Sequence, residues 1–412
     1  MKILMITDMY PPIAVGGYEI MCKETADELK RRGHDVIILT SNWGIEQNSM
    51  EENVHRLLFF NRLNDPRKHN IKSPLRLRKR YYQICWWRES RRNYEKTCKF
   101  ITATKPDLAF FWNMGNIGVG PILAAQTQSI PQVFNVGDYW LLRLKHDLCD
   151  DPNFLRKKFQ ATINGLKDFS QLELKHLLIV SETLKRSYIQ NGFSEQNIRV
   201  IPLGVQSSLI LPIESLQDHR NKSTLKFLFV GRIVPTKAPD VAIDAFNILI
   251  QRYGINYAQL DFIGQGSEEY TSELRKKVFE LNLDEKIKFL GWMDHLNILS
   301  KYQDYDALLF PSRWEEPFGM TVLEAMARGL PVIASGRGGP LEIIDNGKNG
   351  VLIPPNNPAA LAEAMLQMIQ NESLVQKIRV AAIKTLTERY TLEYFVDKNL
   401  EYIQAVTSCA SD

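Results

Sequence analysis

Residues 315–335, "EEPFGMTVLEAMARGLPVIAS", read as loop, helix, stop and buried strand. Thr321 to Arg328 carries helical spacing, Gly329 supplies the left-handed stop, and Pro331 opens the apolar run that follows. Glu316 therefore falls on the loop entering the helix, and Glu324 sits about one turn inside it. The helix start between them offers unpaired N–H groups and a partial positive charge, a seat suited to phosphate or sugar oxygens. The competing reading of either Glu alone is an acidic first turn that complements the helix dipole.

The same grammar extends in both directions. Downstream of 224, "FLFVGRI", "QLDFIG", "KIKFLG", "DALLFP", "PVIAS" and "GVLIP" are apolar strands separated by helical stretches such as "PDVAIDAFNILIQRYG". Upstream, "KILMIT", "DVIILTS", "DLAFFWN", "PQVFNV" and "HLLIVS" alternate with helices. In the first of these helices Tyr18, Met21, Cys22, Thr25, Ala26 and Leu29 recur at helical spacing up to Gly33. Near-continuous apolar strands between helices predict a parallel sheet covered on both faces. The polar stretch "ESLQDHRNKSTLK" (214–226) reads as a linker or loop between the two sets. The expected fold is α/β: two facing Rossmann-like, doubly wound domains with a cleft between them. The expected boundaries are 1–205 for the first domain, completed by about 390–412, and 206–389 for the second. Three helical stretches close the chain.

A chain of 412 residues with 44% hydrophobic and 24% charged residues is ordinary for a globular protein of two domains. No apolar run approaches the roughly 20 residues that span a bilayer. "MKILMITDMYPP" is expected to be a buried strand and not a leader, for want of a long apolar region and a small-residue cleavage site. Cys22, Cys85, Cys98, Cys149 and Cys409 are scattered and form no CxxC pair, so a reducing cytoplasm is the expected compartment. Charge is unevenly spread: residues 61–100 hold 13 Lys and Arg against 3 Asp and Glu, leaving about −6 for the rest of a chain of net charge +4. Within that block Tyr81, Tyr82, Trp86 and Trp87 are interleaved with Arg. The block suits peripheral contact with an anionic membrane, or else an amphipathic helix with a solvated basic face. No nucleic-acid-binding module surrounds it, so nucleic acid is not an expected partner.

Three features fall where strands end, which is where doubly wound sheets bind ligands. Gly16 and Gly17, with Tyr18 after them, stand at a loop-to-helix junction and permit close backbone approach to a phosphate or sugar; a plain tight turn is the alternative. The third glycine of a dinucleotide fingerprint is missing there, and "GQGS" at 264–267 fails the same test. In "GRIVPTK" Gly231 and Arg232 end a strand and Lys237 follows, two cations able to hold a diphosphate as a fork and a point charge. In the opening segment, Glu316 can accept from sugar hydroxyls and Glu324 from a ribose diol. The N–H groups of Phe318, Gly319, Met320 and the adjoining Thr321 can reach the sugar and phosphates.

These motifs carry a resemblance. "GRIVPTK", then "EPFGMTVLEAMARGLPVIAS" and Gly338-Gly339, resemble the family 4 retaining glycosyltransferases of GT-B fold, and the Glu-x7-Glu spacing is among that family's most specific marks. "YPPIAVGGYE", "VSETLKRSYIQNGFSEQNIRVIPLGV" and "EIIDNGKNGVLIPPNNP" extend it over nearly the whole chain, most weakly over 45–130, where acceptor recognition varies. The resemblance implies a nucleotide-sugar donor, UDP-glucose or another UDP-sugar by analogy, and a small-molecule, glycan or lipid-linked acceptor. It further implies that Arg232 and Lys237 neutralise the diphosphate, Glu324 binds ribose, Glu316 contacts the transferred sugar and Gly17 with its neighbours approaches the donor phosphate. The last helix is implied to cross back to the first domain. No Asp-x-Asp motif stands beside these residues, so neither a metal nor another cofactor is expected. One departure is visible: many relatives carry His-Asp where this chain has Gly137-Asp138, leaving Asp138 or a water to serve, unless Asp138 is a helix cap. Rival functions on this fold are a phosphorylase, a sugar-nucleotide epimerase, and a degenerate non-catalytic sugar-nucleotide binder.

Overall fold

The computed structural model describes residues 1–13, 16–44, 52–61, 76–149, 172–216 and 224–409, with side chains excluded at 76–88, 147–149 and 409. The chain divides into two compact units, residues 1–201 with 396–412, and residues 202–395. The polar stretch at 214–226 lies inside the second unit, and its residues 217–223 are outside the described set.

The first unit is built on a seven-stranded parallel sheet in the order β3-β2-β1-β4-β5-β6-β7. Its strands are β1 (Lys2–Ile6), β2 (Asp35–Ser41), β3 (Val54–Leu58), β4 (Leu108–Phe111), β5 (Gln132–Val136), β6 (Leu177–Ile179) and β7 (Ile198–Val200). The central strands are apolar and sealed on both faces: every residue of β4 is buried, and four of the five in β1 and in β5. The two edge strands were not legible as strands in the sequence, because "VHRLL" and "IRV" are short, half-exposed and carry His or Arg. Strand order reverses between β1 and β4, so the crevice at their carboxyl ends opens over Asp8, Asn113 and the start of helix Gly17–Arg31.

The second unit carries a six-stranded parallel sheet, β10-β9-β8-β11-β12-β13, with the reversal between β8 and β11. The strands are β8 (Leu225–Val230), β9 (Ala258–Ile263), β10 (Ile287–Gly291), β11 (Ala307–Phe310), β12 (Val332–Ser335) and β13 (Val351–Ile353), all six of them read from the sequence. Helix Pro239–Gln251 buries Val241, Ala242, Ala245, Phe246 and Leu249 on one stripe against this sheet. Each large side chain so buried contributes about 1.5–3 kcal/mol. The decisive segment folds as helix Met320–Ala327, with Gly319 at its N-cap and Gly329 in the left-handed conformation past its end, followed directly by β12. The helix begins one residue earlier than its sequence pattern.

The last helix, Leu392–Cys409, begins in the second unit and from Val396 belongs to the first. There Asp397 pairs with Arg32, and the Tyr402 hydroxyl lies 3.0 Å from His176 Nδ1. Among the described residues no helix is long and apolar enough to cross a membrane. The basic block forms most of helix Arg76–Thr104. Residues 62–75 and the side chains of 76–88, including Tyr81, Tyr82, Trp86 and Trp87, lie outside the described set, whereas Arg91 and Arg92 are exposed.

Candidate active site

In the second unit the loops at the carboxyl ends of β8 and β11 are sewn together. The amides of Arg313 and Trp314 donate to Thr236 O at 2.8 and 3.0 Å. The Arg313 guanidinium grips Asp240 with two bonds, 2.8 and 2.6 Å, and donates to Pro235 O at 3.0 Å. Burial pushes the Asp240 carboxyl up, but Arg313 outweighs it and holds the group below its ordinary range. Arg313 and Asp240 thus fix the loop that carries Lys237, a supporting pair that nothing in the local sequence pattern announces.

Lys237 reaches across to Glu316, with Nζ 2.7 Å from Oε1 and 2.8 Å from Oε2, and Ser312 Oγ donates to Oε1 at 2.6 Å. Both partners are largely enclosed, with side-chain exposures of 19% and 7%. The expectation placed Lys237 on a diphosphate and Glu316 on a sugar; without a ligand they neutralise each other. A carboxylate offers about four acceptor positions. Among the described residues three on Glu316 are filled, two by Lys237 and one by Ser312, which leaves room on Oε2 for a single hydroxyl. Arg232 is exposed on the same loop as Lys237 and follows Gly231.

Phe318 is buried, and Gly319 has φ 133°, a conformation costly to any residue with a Cβ. The amides of Phe318, Gly319, Met320 and Thr321 meet no backbone carbonyl acceptor among the described residues, so the helix start presents a row of donors. Gly338-Gly339 explains itself here. Gly339 N donates to Glu316 O at 2.7 Å, and a Cβ on Gly339 would lie 1.8 Å from Phe318 O. The glycine pair lets backbone lie directly against the Glu316 loop.

Glu324 points away from that pair into its own enclosure. His295 Nε2 lies 3.0 Å from Oε1, and the Tyr302 hydroxyl donates to Oε2 at 3.3 Å. Burial, reinforced by the Glu324 charge, drives the Tyr302 phenol well above its ordinary pKa, so it stays a donor. Neither His295 nor Tyr302 was foreseen, since each lies more than twenty residues away in sequence.

In the first unit, Gly16 N donates to Glu19 Oε2 at 2.8 Å, which closes the helix start on itself. Gly17 is the first residue of that helix. Asp138 stands one residue before the cap position of helix Trp140–Cys149; its Oδ1 accepts from Trp140 N at 2.6 Å, which satisfies the first amide of that helix, and Oδ2 lies 3.6 Å from Arg143. Gly137 has a physical reason: a Cβ there would lie 2.1 Å from Cε2 of Tyr18. The Tyr18 ring holds that space, its one hydroxyl proton lying between two acceptors, Asn135 O at 2.8 Å and Oδ1 at 2.7 Å, and its oxygen accepting from Gly137 N at 3.2 Å. Past the end of β1, Asp8 is wholly enclosed, its Oδ2 accepting from Asn116; burial, then the charge of Glu19, lift its carboxyl to about 8.

The model of Glycosyltransferase Family 4 matches residues 15–209, and that of the Glycosyl transferases group 1 matches residues 214–385. The chain belongs to the family 4 glycosyltransferases. A relative of this family, an uncharacterized glycosyltransferase of Methanocaldococcus jannaschii, is 27% identical over 401 residues, 95% of each chain. The mannosylfructose-phosphate synthase of Agrobacterium fabrum is 26% identical over 196 residues, 45% of this chain and 43% of that one. The crystal structure of Anabaena Alr3699/HepE in complex with UDP and glucose superposes with a TM-score of 0.71 at 20% identity, covering 98% of this chain and 100% of that one. The family 4 chain therefore has the GT-B fold.

Proposed function

We propose that this glycosyltransferase moves a sugar from a nucleotide diphosphate-sugar to an acceptor hydroxyl with retention of anomeric configuration. The observation that carries the reading is the Lys237–Glu316 pair set at the open start of helix Met320–Ala327, with Glu324 one turn inside. The donor diphosphate takes Lys237 from Glu316 and, with Arg232 and the amides of Phe318 to Thr321, is held as charge develops on the leaving group. Glu316, once released, accepts from a hydroxyl of the transferred sugar, and Glu324 accepts from the ribose. The acceptor hydroxyl attacks C1 on the face the diphosphate leaves; the C1–oxygen bond to the diphosphate breaks, and the departing phosphate oxygen takes the acceptor's proton. The two cations and the helix start supply the stabilisation that a metal gives elsewhere. Anabaena Alr3699/HepE has been solved with UDP-glucose, which supports a UDP-sugar as donor.

The test is a panel of UDP-, GDP- and ADP-sugars followed by thermal shift and by release of nucleoside diphosphate, with the product anomer read by NMR. A UDP-sugar should stabilise the protein most, as RT ln(1 + [L]/Kd) requires, and give the retained anomer. Release of sugar 1-phosphate that depends on inorganic phosphate would show a phosphorylase instead. An inverted anomer would sink the retaining mechanism.

A further inference from the structure

The geometry points to His295 and Tyr302 as positioning residues that lock Glu324 into a receptor for a vicinal diol, and hence as the residues that make the site choose a ribonucleotide over its 2′-deoxy counterpart. The inference rests on the proposed ribose role of Glu324 and adds what enforces it. Glu324 is 7% exposed on helix Met320–Ala327, and its two oxygens are held from two other elements. His295 opens helix His295–Lys301 and reaches Oε1 at 3.0 Å; Tyr302, in the following 3-10 turn and wholly buried, reaches Oε2 at 3.3 Å.

Of the roughly four acceptor positions on a carboxylate, His295 takes one on one oxygen and Tyr302 takes one on the other. Among the described residues one position remains on each oxygen, and a vicinal diol brings two O–H donors with matching separation. Glu316, with three positions filled, has no such symmetry. The clamp also removes rotamer freedom before the ligand arrives, so less ordering is left for binding. The imidazole contributes as a donor through Nε2–H, which is the tautomer the carboxylate selects. The Tyr302 phenol, kept from ionising by burial, contributes its O–H.

The experiment is calorimetric titration of UDP, GDP and ADP, and of their 2′-deoxy counterparts, into wild type and into His295→Ala, His295→Gln, Tyr302→Phe and Glu324→Ala. Wild type should prefer the ribonucleotide by on the order of tenfold. His295→Ala should shrink that preference about fivefold by weakening the ribonucleotide alone, and His295→Gln, which keeps a donor at similar reach, should restore most of it. Tyr302→Phe, which changes one oxygen and retains the ring, should act in the same direction. If His295→Ala lowers both affinities equally, or neither, the clamp is wrong. If Glu324→Ala abolishes the preference while His295→Ala and Tyr302→Phe leave it intact, the ribose role stands and this inference alone falls. Absence of any preference in wild type would overturn both.

Discussion

At the scale of single residues, Lys237 and Glu316 are the most informative pair, because each is enclosed and each depends on the other. Lys237→Ala should lower turnover by on the order of 10²-fold, as for other lost stabilisers of a developing anion. It should also cost about 3–5 kcal/mol of stability by leaving a buried carboxylate unpaired. The double variant Lys237→Ala/Glu316→Gln should recover much of the stability and none of the activity, which denaturation alongside a turnover assay would read directly. Asp8 makes a separate prediction. Its folded pKa, about 8, lies far above its ordinary 3.8, so the folded state binds a proton that the unfolded state has lost between those values. The sign follows: stability falls as pH rises from about 4 to 8 and levels off beyond, by up to several kcal/mol from this one group. Asp8→Asn should flatten that slope and raise Tm at pH 8–9 relative to wild type. Equal pH profiles for the two proteins would mean that Asp8 ionises freely. Neither Asp8 nor His295 stood out in the sequence: an Asp after a strand and a His before a helix gain their meaning only from what encloses them.

At the scale of elements, the start of helix Met320–Ala327 is a composite of three loops. Glu316 comes from the loop after β11, Lys237 from the loop after β8, and the backbone of Gly338 and Gly339 from the turn after β12. The sequence disclosed the two Glu residues and the two cations because their spacing is local. It could not disclose that Arg313 and Asp240 clasp two of these loops, since that contact spans 73 residues. Gly339→Ala would press a methyl into Phe318 O, 1.8 Å away, and so must move the donor row. Weakened nucleoside diphosphate binding of at least tenfold, with far-UV circular dichroism unchanged, is the expected result. Unaltered affinity would show that the amides of Phe318 to Thr321 do not carry the phosphates.

At the scale of the whole molecule, the last helix ties the end of the chain to the first unit, burying Val396 and Ile403 completely there. Removing residues 396–412 deletes at least two large apolar side chains from that core, each worth about 2–5 kcal/mol. Scanning calorimetry should show an early transition for the truncated protein, and an unshifted profile would mean the helix adds nothing to the first unit. By itself the sequence determined the class of fold, the alternation of all but the two edge strands, and the family, and it singled out the candidate donor residues. All of these are local: strands sealed on both faces read as apolar runs, many helix stops carry glycine, and glycines and cations at short spacing mark a candidate phosphate site. Tertiary structure alone decided which charges meet. It paired Lys237 with Glu316, enclosed Glu324 between His295 and Tyr302, filled the place of a side chain at 137 with the Tyr18 ring, and raised the pKa of Asp8. The physical reason is common to all four. Partnership and burial are properties of distance in space, and a sequence specifies only distance along the chain.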